Sequence, residues 1–212
     1  MDSETISLDH GATIRVVQLS EDTKNYILEN FGQMYKLKPD SRHKIVSYNE
    51  EIETYRWSRS YMNTPVMDAS HVECNTYMFS GFDQGHNRED LPELFQPIYK
   101  EIKDLDSRYN QCVINWYRDE QDMIAMHSDC ERQMVPDYNI AIVSLYPSVE
   151  ESRELKVKPK GDNNNSRQIT IPLYNGTVVI IDSQCNKNYV HGISRYNLKK
   201  TNRISMSFRQ IL

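Results

Sequence analysis

The chain has 212 residues, 38% of them apolar and 26% charged. That suffices for one compact domain with its own core and excludes both a mini-protein and a wholly disordered chain. A net charge of -5 excludes a surface that is basic throughout, so any nucleic-acid contact must use a local patch.

In chain order, a helix is predicted from Ser20, with Ile27, Leu28 and Phe31 on one face and a stop at Gly32. Tyr48 to Tyr61 reads as extended. Asp90 with Glu93 three residues on has capping-box spacing. Leu94, Ile98, Ile102 and Leu105 then recur every three or four residues, which predicts a second helix. After Tyr109 the pattern changes to short runs rich in Val, Ile and Tyr. Strands are predicted over 111–118, 139–146, 155–159, 168–173, 177–182, 189–194 and 203–211, with a hairpin tip at 161–166. Helices first and strands after give an α+β class. Two stacked antiparallel sheets, a jelly roll (double-stranded β-helix) with N-terminal helices packed on it, fit the strand count. Residues 1–73 are expected to be an extension or lid region of the same domain, and 74–212 the core.

No apolar run approaches the roughly 18 residues of a membrane span. No basic-then-apolar leader opens the chain. The four cysteines form no C-x-x-C pair. A monomeric protein of cytoplasm or nucleus, free of membrane, is the expectation.

His127-Ser128-Asp129 carries the first chemical signal. Residues two apart on a strand share a face, so an imidazole and a carboxylate there can chelate one ion. His191, in the strand-like run Tyr189–Ile193, is the candidate third ligand. Two histidines and one carboxylate leave open positions on an octahedral metal, the pattern of non-haem iron(II) oxygenases. A zinc site drawing on Cys130 or Cys185 is the competing reading, and it needs four protein ligands. From Arg203 to Arg209 the chain alternates strictly. Ile204, Met206 and Phe208 share one face, and Arg203, Ser205, Ser207 and Arg209 the other. An inward row bearing two arginines needs a buried anion, which a dicarboxylate supplies.

Several runs in order resemble the AlkB family of 2-oxoglutarate dioxygenases. They are Asn75–Gly81, Asn115-Trp116-Tyr117, His127–Glu131, Val143-Ser144-Leu145, Gly176–Asp182, His191-Gly192-Ile193 and Arg203–Arg209. The resemblance covers residues 74–211. It implies Fe(II) on His127, Asp129 and His191, with 2-oxoglutarate and O2 as cosubstrates. It further implies Arg203 on the distal carboxylate, Arg209 near the metal end, and Asn115 and Tyr117 hydrogen-bonding the cosubstrate. Glu131 stands where the family often has an acidic residue facing the substrate, and Trp57, Tyr61 and Tyr77 are candidates to stack against a base. Ser205 departs from the family's usual asparagine.

The implied activity is oxidative demethylation of alkylated bases in DNA or RNA, presented single-stranded or flipped out. A hydroxylase or demethylase acting on a protein side chain, and a non-catalytic binding module that keeps the fold, are the other readings. Lys156, Lys158 and Lys160 alternate as a phosphate-contacting stripe would, or as lysines guarding an edge strand.

Overall fold

The structure, a computed structural model, describes residues 3–42, 44–47, 50–62, 89–119, 121–195 and 201–212. The first 62 residues contribute β1 (Ser3–Ser7), β2 (Thr13–Gln18), helix α1 (Glu21–Lys36), β3 (Lys44–Ser47), β4 (Glu50–Glu53) and β5 (Trp57–Met62). Helix α2 (Gln96–Leu105) follows, then β6 (Gln111–Tyr117), β7 (Ile124–His127), β8 (Asn139–Leu145) and β9 (Arg153–Pro159). The chain closes with β10 (Ile169–Leu173), β11 (Thr177–Asp182), the short helix α3 (Ser183–Asn188), β12 (Tyr189–Ile193) and β13 (Arg203–Arg209).

The strands form a seven-stranded sheet in the order β1-β2-β11-β8-β13-β6-β5 and a four-stranded sheet in the order β10-β9-β12-β7, with β3 and β4 as a separate hairpin. All neighbouring pairs are antiparallel. This is the expected jelly roll, with α1 and α2 against the outer face of the larger sheet. Alternation along β13 does the sorting. Ile204, Met206 and Phe208 pack in the helix-side core, while Arg203, Ser205, Ser207 and Arg209 line the cavity between the sheets. Both rows are buried, so the arginine row does not face solvent.

Three differences from the sequence reading have physical causes. Helix α1 runs through Gly32 to Lys36, because its last turns bury Phe31 and Met34. Each such burial contributes about 1.5–3 kcal/mol, against about 1 kcal/mol lost to a mid-helix glycine. Helix α2 begins at Gln96, not Asp90. Pro92 bars its preceding residue from the helical region, so Glu93–Phe95 forms a single 3-10 turn first. Residues before 74 are more than an extension, since β1, β2 and β5 are three strands of the larger sheet. The lysine-bearing strand β9 lies between β10 and β12, so its lysines guard no edge. The 161–166 hairpin tip is where expected, closed by Lys158 Nζ on Asn165 Oδ1 at 2.7 Å.

Candidate metal centre and cosubstrate cavity

Strands β7 and β12 pair so that His127 and His191 stand directly opposite each other, with an irregularity between His191 and Ile193. Gly192 makes this approach possible. A Cβ there would meet the Ile124 carbonyl oxygen at 2.9 Å and the Ala125 carbonyl carbon at 3.0 Å. The two imidazole rings are 4.6 Å apart between centroids. His127 Nδ1 lies 2.8 Å from the Ala125 carbonyl, leaving Nε2 facing Asp129 Oδ1 at 3.4 Å. With Asp129 two residues past the end of the strand, His127, Asp129 and His191 bring ligand atoms within 4.8 Å of one another. Among the described residues no cysteine joins them: Cys185 is in the core, and Cys130, though it lines the cavity, is outside the cluster.

Electrostatics keep His191 and Asp129 deprotonated. Burial pushes the His191 imidazole down to about 3, helped by His127 beside it. Burial alone would raise the Asp129 carboxyl, but Arg209 and the His127 hydrogen bond hold it well below the usual carboxylate range. Arg209 Nε and Nη2 both donate to Asp129 Oδ2, at 2.9 and 2.7 Å. One carboxylate oxygen is thereby occupied and the other is left toward the histidines. Two imidazoles and a carboxylate are the donor set that a divalent first-row metal accepts.

The backbone of Asp129 is clamped by a residue the sequence reading missed. Asn186 of α3 accepts from the Asp129 amide at 2.8 Å and donates to its carbonyl at 3.1 Å and to Tyr138 Oη at 2.8 Å. Asn186 is 1% exposed. Its side of the contact lies 57 residues along the chain, and no local pattern announces it.

The cluster sits in a cavity of about 400 Å³ between the sheets. At the opposite end Arg203, 1% exposed, donates to Ser144 Oγ at 3.0 Å and lies over the Tyr117 ring at 4.9 Å. Its Nε and Nη1 are buried with no hydrogen-bond partner. Two unpaired donors on a buried cation cost several kcal/mol unless an anion meets them. A carboxylate matches these two donors in charge and geometry. Asn115 also lines the cavity. Its Oδ1 accepts from Ser58 Oγ at 2.6 Å and from Arg56 Nε at 3.0 Å. Arg56 is a second lining residue that the sequence reading did not single out. It lies in a stretch whose only sequence signal was extended backbone.

The proposed substrate contacts fare differently. Tyr61 is 2% exposed and belongs to the helix-side core. Trp57 is covered by Arg42, 4.3 Å above its ring, and by Lys38 at 5.6 Å, so its face is not open to a base. Glu131 is absent from the lining and instead opposes ionisation of the buried Tyr138 hydroxyl, behind burial itself. These three are corrected: the first two sit on or behind the helix-side face of β5, and the third is drawn away by Tyr138. Tyr77 lies outside the described residues.

Residues 18–209 match the family model described as 2OG-Fe(II) oxygenase superfamily. The chain is 25% identical over 139 residues to mouse alpha-ketoglutarate-dependent dioxygenase alkB homolog 3, covering 64% of this chain and 48% of that protein. It is 27% identical over 143 residues to human DNA oxidative demethylase ALKBH2, covering 65% and 52%. The chain thus spans about half the length of the curated relatives it matches. Among solved structures, that of OsALKBH1 superposes with a TM-score of 0.59 at 15% identity over 98% of this chain and 100% of that one. A 2OG-Fe(II) oxygenase family oxidoreductase from Burkholderia pseudomallei gives 0.51 at 16%, over 92% and 85%. Both likenesses are of fold.

Proposed function

The chain belongs to the 2OG-Fe(II) oxygenase superfamily, and from that premise we propose that it is an AlkB-like dioxygenase that oxidatively demethylates alkylated bases in nucleic acid. One observation carries the reading. A two-histidine, one-aspartate cluster and a buried arginine with two unpartnered donors face one cavity from opposite ends. No protein group among the described residues completes either end, whereas iron(II) and a dicarboxylate complete both. The nucleic-acid part rests on the relatives, two of which are named for dioxygenase and DNA demethylase activity.

When bound, iron(II) with 2-oxoglutarate and oxygen supplies the oxidation of an N-methyl carbon, with succinate and carbon dioxide as the co-products. The chain's own part is positional. His127, through Nε2, His191 and Asp129 hold the metal. Arg209 fixes Asp129 by its outer oxygen, and Asn186 fixes the same residue by its backbone. Arg203 receives the distal carboxylate of 2-oxoglutarate, with Ser144 and the Tyr117 ring holding the guanidinium in place. Asn115 offers its amide nitrogen, its oxygen being engaged by Ser58 and Arg56. Val113, Ile142, Leu155 and Ile193 line the space between and keep water low there, which strengthens each ionic contact.

The test is succinate release from 2-oxoglutarate by the iron-loaded protein, measured with a panel of methylated DNA, RNA and peptides. Release stimulated by methylated oligonucleotides supports the reading. Release stimulated by methylated peptides alone replaces it with protein demethylation, and no release with any member removes the dioxygenase assignment.

A further inference from the structure

The sheet that carries Arg209 holds a buried polar chain that the metal and the cosubstrate leave unexplained. Strands β13 and β6 pair Arg209 directly with Gln111, and edge strand β5 lies on the far side of β6. Gln111 Oε1 accepts from Arg209 Nη1 at 3.4 Å, and Gln111 Nε2 donates to Ser60 Oγ at 3.0 Å. Ser60 is its diagonal neighbour, two residues from the register partner Met62. Arg209 in turn donates twice to Asp129. Four side chains thus connect the metal ligand to the edge of the sheet. All four are buried, Gln111 completely. A carboxamide in such a place is costly, and an apolar side chain of like volume would fill it without needing partners.

The geometry at Asp129 shows what the amide does there. A guanidinium left to itself grips a carboxylate as a fork, with one N–H on each oxygen. Here Nε and Nη2 both reach Oδ2, at 2.9 and 2.7 Å, while Oδ1 stands toward the His127 imidazole. The third nitrogen is anchored elsewhere. Nη1 donates to the Ser207 carbonyl at 3.1 Å and to Gln111 Oε1. The Ser207 contact comes from the same strand, so Gln111 supplies the hold from the neighbouring one. A carboxamide can do this only with its oxygen toward Arg209, because its amino end carries donors alone and would repel a cation. Ser60, by accepting from Nε2, selects that orientation.

Resting on the metal assignment above, we propose that Gln111 is a positioning residue of the metal centre and that Ser60 acts through it. Gln111 holds Arg209 to the outer oxygen of Asp129, which keeps the inner oxygen for the metal. Without that hold the guanidinium slides along the carboxylate and competes with the ion for both oxygens.

Manganese(II) is the probe, since it accepts the same donors as iron(II) and does not oxidise in air. Unbound ion is counted by its electron paramagnetic resonance signal. Gln111→Met should weaken manganese binding by about tenfold, the lower end for an outer contact that orients a ligand. Ser60→Ala should weaken it by a smaller, measurable factor. The double variant should lose no more than Gln111→Met alone, because Ser60 has nothing to orient once the amide is gone. KM for 2-oxoglutarate at saturating metal stays where it is, since Arg203 and its Ser144 contact are untouched. A role in packing alone would move the urea midpoint and leave the metal affinity unchanged. Ser60→Ala removes a single oxygen, so it carries the test even if Gln111→Met does not fold. Unchanged manganese affinity in Ser60→Ala overturns the proposal, as do losses that add in the double variant. An unaltered protein that binds no manganese removes the metal assignment itself. Equal, tight binding by the unaltered protein and both single variants removes this inference alone.

Discussion

The two ends of the cavity are built differently. The Arg203 end stands on β13, β8 and β6, interior strands hydrogen-bonded on both flanks. Its arginine is 1% exposed and held by Ser144 and the Tyr117 ring. The opposite end is assembled at the end of edge strand β7 and the far end of β13, where Arg209 meets Asp129. There His127 is a third exposed at its side chain. A rigid interior suits a cosubstrate that is the same in every turnover. An edge suits the part that must admit and discriminate a variable group.

The sharpest way to break this contrast is at the metal. Asp129→Ala and His191→Ala should each abolish iron-dependent succinate release, because two ligands cannot hold the ion that three hold. Iron content by metal analysis should fall with activity, while circular dichroism shows the fold retained. Either variant with full turnover removes the metal assignment. Arg203→Ala comes next. Truncating one partner of a buried charge pair costs on the order of 2–5 kcal/mol, so the 2-oxoglutarate requirement should rise by about thirtyfold or more. The rise should sit in KM for 2-oxoglutarate, with far less change in KM for the nucleic acid.

Asn186→Leu should act more mildly. It removes both backbone contacts to Asp129 and leaves the three ligands in place. Outer contacts that orient a ligand are worth about 10–100-fold in metal affinity or activity. Iron titration followed by recovery of succinate release checks it, and an affinity equal to that of the unaltered protein would show that the clamp is only structural. The metal-free protein should also respond to pH. An unfolded imidazole takes a proton below about 6.5, whereas buried His191 stays neutral to about 3. The unfolded chain therefore binds more protons in that window, and stability falls as pH drops from 6.5 toward 3. Urea unfolding of His191→Asn should lose about one proton's worth of that slope.

The same contrast explains what could be read from the sequence. On interior strands every backbone group is paired, so a side chain's face follows from its position in the alternation. Hence β6, β8, β11 and β13 were legible to within a residue or two, as were the inward arginine row and the sharing of one face by Asn115 and Tyr117. The edges resisted. β7 is four residues long with only one bulky aliphatic side chain, and β1 is polar and exposed. Facing on β5 is decided by what packs over it, namely α1 and the cations Lys38 and Arg42. Asn186 escaped because its meaning depends on α3 folding back onto a loop far away in sequence.

The smallest predicted effect probes that last point. Trp57 was a candidate to stack on a base, and its place under Arg42 says otherwise. Arg42 also gives Nη2 to both oxygens of Asp122, at 2.9 and 2.8 Å, and Asp122 is 1% exposed. Trp57 is therefore the floor of an ion pair that ties the segment after α1 to the loop after β6. Trp57→Ala should leave KM for methylated oligonucleotide within about twofold, since no substrate contact is lost. It should lower stability by about 0.5–1 kcal/mol for the cation–π contact, plus lost packing, read as an earlier urea midpoint. A large rise in oligonucleotide KM with unchanged stability would return Trp57 to the substrate side.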